Sequence, residues 1–177
     1  MKTGMVLGRR FELRQVLGEG GMGQVFKAWD TDLERFVAIK ILLPQFLSDP
    51  SANQEMKQEV RLSQRLNHPS IVAVYDYRVH DRVPYIVMEY VEGTPLHVYL
   101  FRQPGKKLDE ATFLTLADRI LAPVGYAHEQ RVVHRDLKPS NIMVMPGLQV
   151  KLMDFGIAAT LKATYTRVTG RTSGLTI

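Results

Sequence analysis

The chain has 177 residues, 45% of them hydrophobic and 23% charged, which is enough for one domain, or a domain of two small lobes, with a real core. It contains no cysteine, which excludes disulfides and thiolate zinc sites, and it has no signal-peptide pattern or apolar run of roughly 18 residues. Through most of the chain the basic residues behind the net charge of +5 are scattered among acidic ones, so we expect no nucleic-acid partner. These features predict a soluble, cytoplasmic protein with no membrane segment in this chain.

Residues 1–92 show the alternation of apolar and polar side chains that predicts β-strands. Within this region one segment has apolar residues at helical spacing, with Met56, Val60 and Ser63 on or near one face. We therefore expect an antiparallel sheet of five strands with one helix. The predicted elements are strands at 11–17, 24–30 and 35–43, a helix at 51–66, and strands at 71–79 and 83–91.

Residues 93–177 are predicted to be mainly helical. A short helix ends near Phe101, and a long one runs from Glu110 to about Gln130. Pro123 inside the long helix is expected to kink it or to cost about 3 kcal/mol. Short strands are expected at 132–134, 142–145 and 150–153. The whole chain is thus predicted to be an α+β protein with domains at 1–92 and 93–177.

A glycine run, G-E-G-G-M-G, extends from Gly18 to Gly23 with G-x-G-x-x-G spacing. Dinucleotide-binding folds place a helix after such a run, whereas the residues that follow here are strand-like, and no Gly-Lys-Ser/Thr of a Walker loop is present. The pattern therefore predicts a glycine-rich hairpin whose backbone N–H groups are accessible to phosphates. A simple flexible turn remains the alternative at this point.

Lys40 lies in the apolar strand segment V-A-I-K. A lysine there faces either solvent or an anion, and near a partly buried site it needs a carboxylate partner to stay charged. The following helix offers Glu55 and Glu59, of which we favour Glu59 because it is nearer the middle of the helix. A surface position for either acid remains the alternative.

Two short segments, H-R-D-L-K-P-S-N and D-F-G, concentrate groups with catalytic potential on predicted loops. Carboxylate and carboxamide oxygens suit Mg²⁺, which also keeps water and substrate phosphates as ligands. A base, a cation and two metal-holding groups are what phosphoryl transfer requires. The alternative is a pair of decorated turns. The groups concerned are Asp136, Lys138, Asn141 and Asp154.

In this order along the chain, the motifs resemble those of eukaryotic-type protein kinases. The resemblance covers nearly the whole chain and is most similar to bacterial members, and Lys138 two places after Asp136 is the serine/threonine pattern. It implies a protein-kinase-like fold, with an N-lobe at 1–92 and a partial, helical C-lobe at 93–177. The matching segments are Gly18–Val25, Ala38–Lys40, His134–Asn141 and Asp154–Gly156.

The resemblance also implies ATP and Mg²⁺ as cofactors and a protein as substrate. Lys40 is then expected to bind the α and β phosphates and to be held by Glu59. Asp136 is expected to accept the proton of the substrate hydroxyl while Lys138 steadies the γ-phosphate, and Asn141 and Asp154 are expected to hold Mg²⁺. Met88 is implied as the gatekeeper, with the backbone of Glu89 and Val91 facing the adenine edge. The implied nucleotide-binding residues are Leu17, Gly18, Gly20, Gly23, Val25, Ala38, Lys40, Met88, Glu89, Val91 and Met143.

The segment after D-F-G departs from the family pattern because no Ala-Pro-Glu follows it. We interpret the chain as truncated within the activation and substrate-docking segment, and we expect slow phosphate transfer to proteins. We also expect self-association, or a partner chain, to cover the apolar face of the helix at 110–130. The candidate phosphorylation sites in this segment are Thr160, Thr164, Thr166, Thr169, Thr172 and Ser173.

Two functions remain open from the sequence. The first is a serine/threonine protein kinase, and the second is a non-catalytic ATP-binding module that regulates or scaffolds a partner. The first is favoured because a degenerate relative would usually have lost at least one of four residues that are all present, Lys40, Asp136, Asn141 and Asp154.

Overall fold

The computed structural model describes residues 1–20, 23–44, 50–155 and 166. These residues fall into two compact units, the first containing 1–61 and 74–90 and the second containing 62–73 and 91–155. The domain boundary expected between residues 92 and 93 stays a prediction.

The first unit is built on a six-stranded antiparallel sheet in the order β1-β2-β3-β4-β6-β5. The sequence predicts only five of these strands. The additional strand, β1, has two residues, Val6 and Leu7, which is too short for an alternating pattern to show. The strands are β1 (Val6–Leu7), β2 (Phe11–Gly20), β3 (Gly23–Asp30), β4 (Arg35–Leu42), β5 (Val74–His80) and β6 (Val83–Glu89).

Along β3, every second side chain from Phe26 onward is buried, so one face of the sheet packs in the core of the first unit. Phe26 and Ala28 are fully buried, and Asp30 at the end of the same face is 1% exposed. The Arg10 guanidinium donates hydrogen bonds of 2.6 and 2.7 Å to the two Asp30 oxygens, which lowers the pKa of that carboxyl. Asp30 also accepts a bond of 3.1 Å from the Asp32 N–H, so the buried acid fixes the turn between β3 and β4.

The predicted helix between the strands is observed as α1, Pro50–Gln64. Met56, Val60 and Ser63 are its buried residues, at the helical spacing expected from the sequence. The Tyr77 hydroxyl on β5 lies 3.1 Å from the side-chain oxygen of Asn53, to which it donates. This bond ties the first turns of α1 to the sheet.

The second unit contains two helices and a three-stranded sheet in the order β7-β8-β9. The strand expected at 132–134 does not form, because the Val132 N–H donates to the Ala127 carbonyl at 2.9 Å, extending the end of the long helix. The remaining elements are β7 (Thr94–Pro95), α2 (Leu96–Phe101), α3 (Glu110–Glu129), β8 (Ile142–Met145) and β9 (Gln149–Leu152).

The long helix α3 begins at a side-chain cap. The Asp109 carboxylate accepts hydrogen bonds from the Thr112 N–H at 2.8 Å and from its hydroxyl at 2.7 Å. The helix runs through Pro123, which is buried, and its buried face packs into the core of the second unit. Within the part of the chain that the structure describes, no helix has the length and apolar character needed to cross a membrane.

The backbone conformation and the close packing at the start of β3 require a glycine at position 23. Its φ is +134°, and a Cβ there would lie 1.9 Å from the Ile41 carbonyl oxygen. We expect Gly23→Ala to lower the free energy of unfolding by about 2 kcal/mol or more, because both the conformation and the space exclude a side chain. Gly18→Ala is the control, because a Cβ on Gly18 meets nothing within 4 Å. Urea denaturation checks this, and equal losses in the two variants contradict it.

Candidate active site

One face of the first unit's sheet carries several predicted nucleotide-binding residues in line. Gly18 on β2 lies opposite Val25 on β3, and Val25 lies opposite Lys40 on β4. Directly opposed residues of antiparallel strands present their side chains on the same face. Ala38, two residues before Lys40, shares that face and lies opposite Met88 on β6. The sheet register therefore brings together five of the eleven residues that the sequence predicts for nucleotide binding.

The other predicted residues of the first unit lie at the borders of this face. Leu17 is exposed near the end of β2, and Gly20 pairs with Gly23 where β2 meets β3. Glu89 is the last residue of β6. Lys40 and Glu59 are both half-buried in this unit, and their pairing stays a prediction.

The predicted metal ligands lie at one end of the β8–β9 hairpin in the second unit. Asn141 directly precedes β8, and Ile142 at its start pairs with Leu152 at the end of β9. The Met153 N–H donates to the Asn141 carbonyl at 2.9 Å. Asp154 is the next residue, so the antiparallel pairing brings Asn141 and Asp154 to the same end of the hairpin.

The side chain of Asn141 connects this hairpin to the predicted base. Asn141 is 8% exposed, and its amide nitrogen donates to the Asp136 carbonyl at 2.8 Å and to Asp136 Oδ2 at 3.0 Å. Both amide hydrogens are thereby used. Because the amide group is planar, its oxygen lies on the side of the group that is turned away from these two Asp136 oxygens.

Asp136 also forms an ion pair with the predicted phosphate-binding lysine. Lys138 Nζ lies 3.1 Å from Asp136 Oδ2, and the two side chains are 33% and 11% exposed. A single turn of 3-10 helix, Pro139–Asn141, follows, and the Asn141 N–H donates to the Lys138 carbonyl at 2.9 Å. The loop thus holds an ammonium and a carboxamide, each in contact with the same carboxylate.

His134 belongs to the site, although the sequence assigns it no role. It is 3% exposed, its Nδ1 accepts the Asp136 N–H at 3.3 Å, and its ring centroid lies 4.4 Å from that of Phe155. Burial lowers the pKa of His134 from its ordinary value of 6.5, so the imidazole is neutral at neutral pH. Its Nε2 is buried without a hydrogen-bond partner among the described residues.

Two residues of the site have left-handed backbone conformations that are uncommon for side chains other than glycine. Arg135 has a φ of 62° and Asp154 a φ of 61°. Such conformations cost about 1–3 kcal/mol each and persist only where neighbouring contacts hold them. The residues on either side of Arg135 supply such contacts, because His134 accepts the N–H of Asp136.

The donor set fits Mg²⁺. The neutral oxygen of Asn141 and the carboxylate of Asp154 are hard oxygen ligands, and Mg²⁺ usually takes its remaining ligands from phosphates and water. Among residues 1–20, 23–44, 50–155 and 166 there is no cluster of three or more histidines, acids or cysteines that would hold a metal alone.

The remaining predicted residues are placed as follows. Met143 is half-buried on β8, opposite Pro95, and Val91 is half-buried just after β6. Thr166 is exposed. Gly156 and the other hydroxyl-bearing residues proposed for phosphorylation lie outside the described residues.

Comparisons with known proteins match most of this chain. A family model described as the protein kinase domain matches residues 11–174. A probable serine/threonine-protein kinase of Streptomyces coelicolor is 46% identical over 156 residues, and the serine/threonine-protein kinase PknA of Mycobacterium tuberculosis is 39% identical over 178 residues. These alignments cover 86% and 98% of this chain but only 23% and 41% of the two relatives, so the chain spans less than half of either relative.

Solved structures show the same similarity. The apo form of PpkA-294 superposes with a TM-score of 0.82 at 26% identity, covering 96% of this chain and 65% of the other. The kinase domain of Mycobacterium tuberculosis PknI gives a TM-score of 0.78 at 26% identity, covering 90% and 62%. The predicted protein-kinase-like fold class is thereby confirmed.

The buried imidazole of His134 makes stability depend on pH. A depressed pKa in the folded state means that the unfolded chain binds the proton more readily, so stability is full above the unfolded pKa of 6.5 and falls as the pH drops below it. We expect the wild type to lose more stability than His134→Phe between about pH 7.5 and about pH 5.5 in urea denaturation. His128→Phe, at an exposed position on α3, is the control and should behave like the wild type. Equal losses of stability in the wild type and His134→Phe would falsify the lowered pKa of His134 as the source of this pH dependence.

Proposed function

The chain belongs to the protein kinase domain family, within its bacterial serine/threonine branch, and from that premise we propose that it transfers the γ-phosphate of ATP to serine or threonine hydroxyls of a protein. The observation that carries the proposal is the double hydrogen bond from the buried Asn141 amide to Asp136. In the proposal it fixes the carboxylate that accepts a proton and leaves a neutral oxygen for a metal, which are two of the groups that this chemistry requires.

The proposed reaction transfers one proton and one phosphoryl group. The substrate hydroxyl gives its proton to Asp136, its oxygen bonds to the γ-phosphorus, and the bond from that phosphorus to the ADP oxygen breaks. Lys138, 3.1 Å from Asp136, supplies a positive charge next to the phosphate oxygens. Most of the catalytic effect in such reactions comes from positioning and charge stabilisation, which a rigid loop supports.

In the proposal, residues of the first unit bind the nucleotide. Gly18, Val25 and Lys40 lie in line across three strands, and nothing within 4 Å occupies the place of a Cβ on Gly18. Packing among the described residues therefore does not explain why position 18 is a glycine. A glycine there is consistent with the close approach of a phosphate, which a side chain would hinder. Adenine contacts are assigned to Ala38, Met88 and the other residues that the sequence predicts.

Mg²⁺ is part of the proposal, with Asn141 Oδ1 and the Asp154 carboxylate as its protein ligands. When bound, it supplies charge neutralisation for the phosphate oxygens during transfer. The Asn141 amide, already committed to Asp136, keeps its oxygen oriented for this role. We also propose a cytoplasmic location, where ATP and Mg²⁺ are available, for the part of the protein that this chain represents.

Phosphate transfer to a generic protein acceptor and to the chain itself, measured with labelled ATP, tests the function. We expect Asp136→Asn and Asp154→Asn each to reduce the transfer rate about 100-fold or more, because one removes the base and the other a metal ligand. Asp118→Asn, at an exposed acid on α3, should retain the wild-type rate. Equal incorporation in the wild type and Asp154→Asn would rule out catalysis, and ATP-dependent thermal stabilisation without transfer would favour the binding module instead.

Self-association is the second part of the proposal and rests on the outer face of α3. Phe113 and Leu114 are each 57% exposed, and Leu121 is 65% exposed. Large apolar side chains clustered on one helix are unfavourable in water and commonly mark an interface. We propose that this face is covered by a second copy of the chain or by a partner polypeptide.

Sedimentation velocity over a range of concentrations tests this interface. We expect the wild type to associate as the concentration rises and Leu121→Glu to remain monomeric, because a charge within the apolar face opposes its burial. Ala122→Glu adds a charge at an exposed position about 100° around the same helix from Leu121 and should associate like the wild type. A wild-type chain that stays monomeric at all concentrations would contradict self-association.

A further inference from the structure

Ser63 on α1 makes a long-range contact with the segment that contains Asp154. Its hydroxyl donates to the Phe155 carbonyl at 3.0 Å, a bond between residues 92 positions apart. Ser63 is 4% exposed, and Phe155 is also 4% exposed. The hydrogen bond is therefore shielded from water, where its loss costs more than at the surface.

The Ser63 hydroxyl donates its hydrogen bond outside its own helix. A serine within a helix commonly donates to the carbonyl four residues earlier, which for Ser63 is that of Glu59. A hydroxyl has a single proton, and here that proton is directed to Phe155. The side chain thus stabilises the Asp-Phe segment rather than its own helix.

The contact holds one side of a strained residue. Asp154 has a φ of 61°, and the residue before it is held by the bond of 2.9 Å from the Met153 N–H to the Asn141 carbonyl. The residue after it is held by Ser63 through the Phe155 carbonyl. A positive φ at a residue other than glycine stores strain that neighbouring contacts offset, and here there is one such contact on each side of Asp154.

We propose that Ser63 is a positioning residue, whose hydrogen bond to Phe155 keeps Asp154 in the conformation that binds the metal. This inference rests on the proposed function, because Asp154 is a metal ligand only within that proposal. Ser63 itself contacts neither metal nor substrate. Its loss should therefore weaken metal binding while leaving metal-free nucleotide binding nearly unchanged.

The contact can first be tested in the free chain. In protein labelled with ¹³C at the carbonyl carbons of phenylalanine, the Phe155 resonance should move upfield in Ser63→Ala, because that carbonyl loses its donor. Ser63→Thr keeps a hydroxyl and should retain the wild-type shift. An unchanged resonance in Ser63→Ala would show that the bond is absent in solution and overturn the proposal.

Metal binding is then measured by the electron paramagnetic resonance of free Mn²⁺, titrated into the chain with a non-hydrolysable ATP analogue. We expect Ser63→Ala to raise the dissociation constant for Mn²⁺ about three- to tenfold, the size of one neutral hydrogen bond. The affinity for the analogue without metal should stay within about twofold. Thr115→Val is the control, because the Thr115 hydroxyl donates to the Ala111 carbonyl of its own helix, α3.

A second pair of variants separates the hydroxyl from packing. Ser63→Thr and Ser63→Val add nearly the same volume, so their difference reports the hydroxyl even if both are less stable than the wild type. We expect the threonine variant to bind Mn²⁺ more tightly than the valine variant. Equal affinities in this pair, or wild-type affinity in Ser63→Ala, would overturn the role of Ser63.

Failure of the proposed function gives a different result. If the wild type itself binds neither Mn²⁺ nor the analogue, the kinase proposal fails and the role of Ser63 fails with it. If the wild type binds both and the Ser63 variants bind equally well, only the role of Ser63 fails.

Discussion

The hydrogen bonds of the Asn141 amide hold together the loop and the hairpin end that form the candidate site of the second unit. Two N–H groups meet two oxygens of Asp136, while the main chain of Asn141 receives the N–H of Met153. One buried residue thereby connects the loop that carries the proposed base, Asp136, to the hairpin that leads to Asp154. A carboxamide is suited to this position because it donates and accepts at the same time without carrying charge. A carboxylate there would meet Asp136 with like charge, and an aliphatic side chain would leave Asp136 without its donor.

Around this connection the chain retains several features that are unfavourable for stability alone. Arg135 and Asp154 have left-handed backbones, and the neutral imidazole of His134 is buried with one nitrogen that finds no partner among the described residues. Each of these costs free energy, and neighbouring contacts offset the cost. Left-handed residues also occur at turns elsewhere in the described chain, such as Glu34 and Leu148, so they do not mark the site by themselves. The buried neutral imidazole, with one nitrogen that finds no partner among the described residues, is the feature that supports the location given by the motifs.

Five strands of the first unit could be predicted because their apolar and polar side chains alternate along the sequence. The motifs could be recognised because their residues lie close together in the sequence. The strand β1 escaped prediction because two residues show no period, and the strand expected at 132–134 was wrong because Val132 bonds back to the end of α3. Ser63 was assigned to the apolar face of α1 from its spacing alone. Its bond to Phe155 joins residues 92 positions apart, and no local pattern encodes a contact of that kind. The candidate site could thus be proposed as a set of residue types from the sequence, whereas the contacts among those residues could be described only from the fold.

The sheet face of the first unit that carries Val25 and Lys40 also contains the single tryptophan of the chain. Trp29 lies opposite Phe36 in the β3–β4 register, with ring centroids 4.9 Å apart, and neighbouring Lys27 lies over the Phe36 ring at 4.1 Å. Its fluorescence consequently reports on the first unit alone, whereas far-ultraviolet circular dichroism reports on helices and strands of both units. Comparing the two signals during denaturation therefore measures, without any label, whether the units unfold in one cooperative transition or in two.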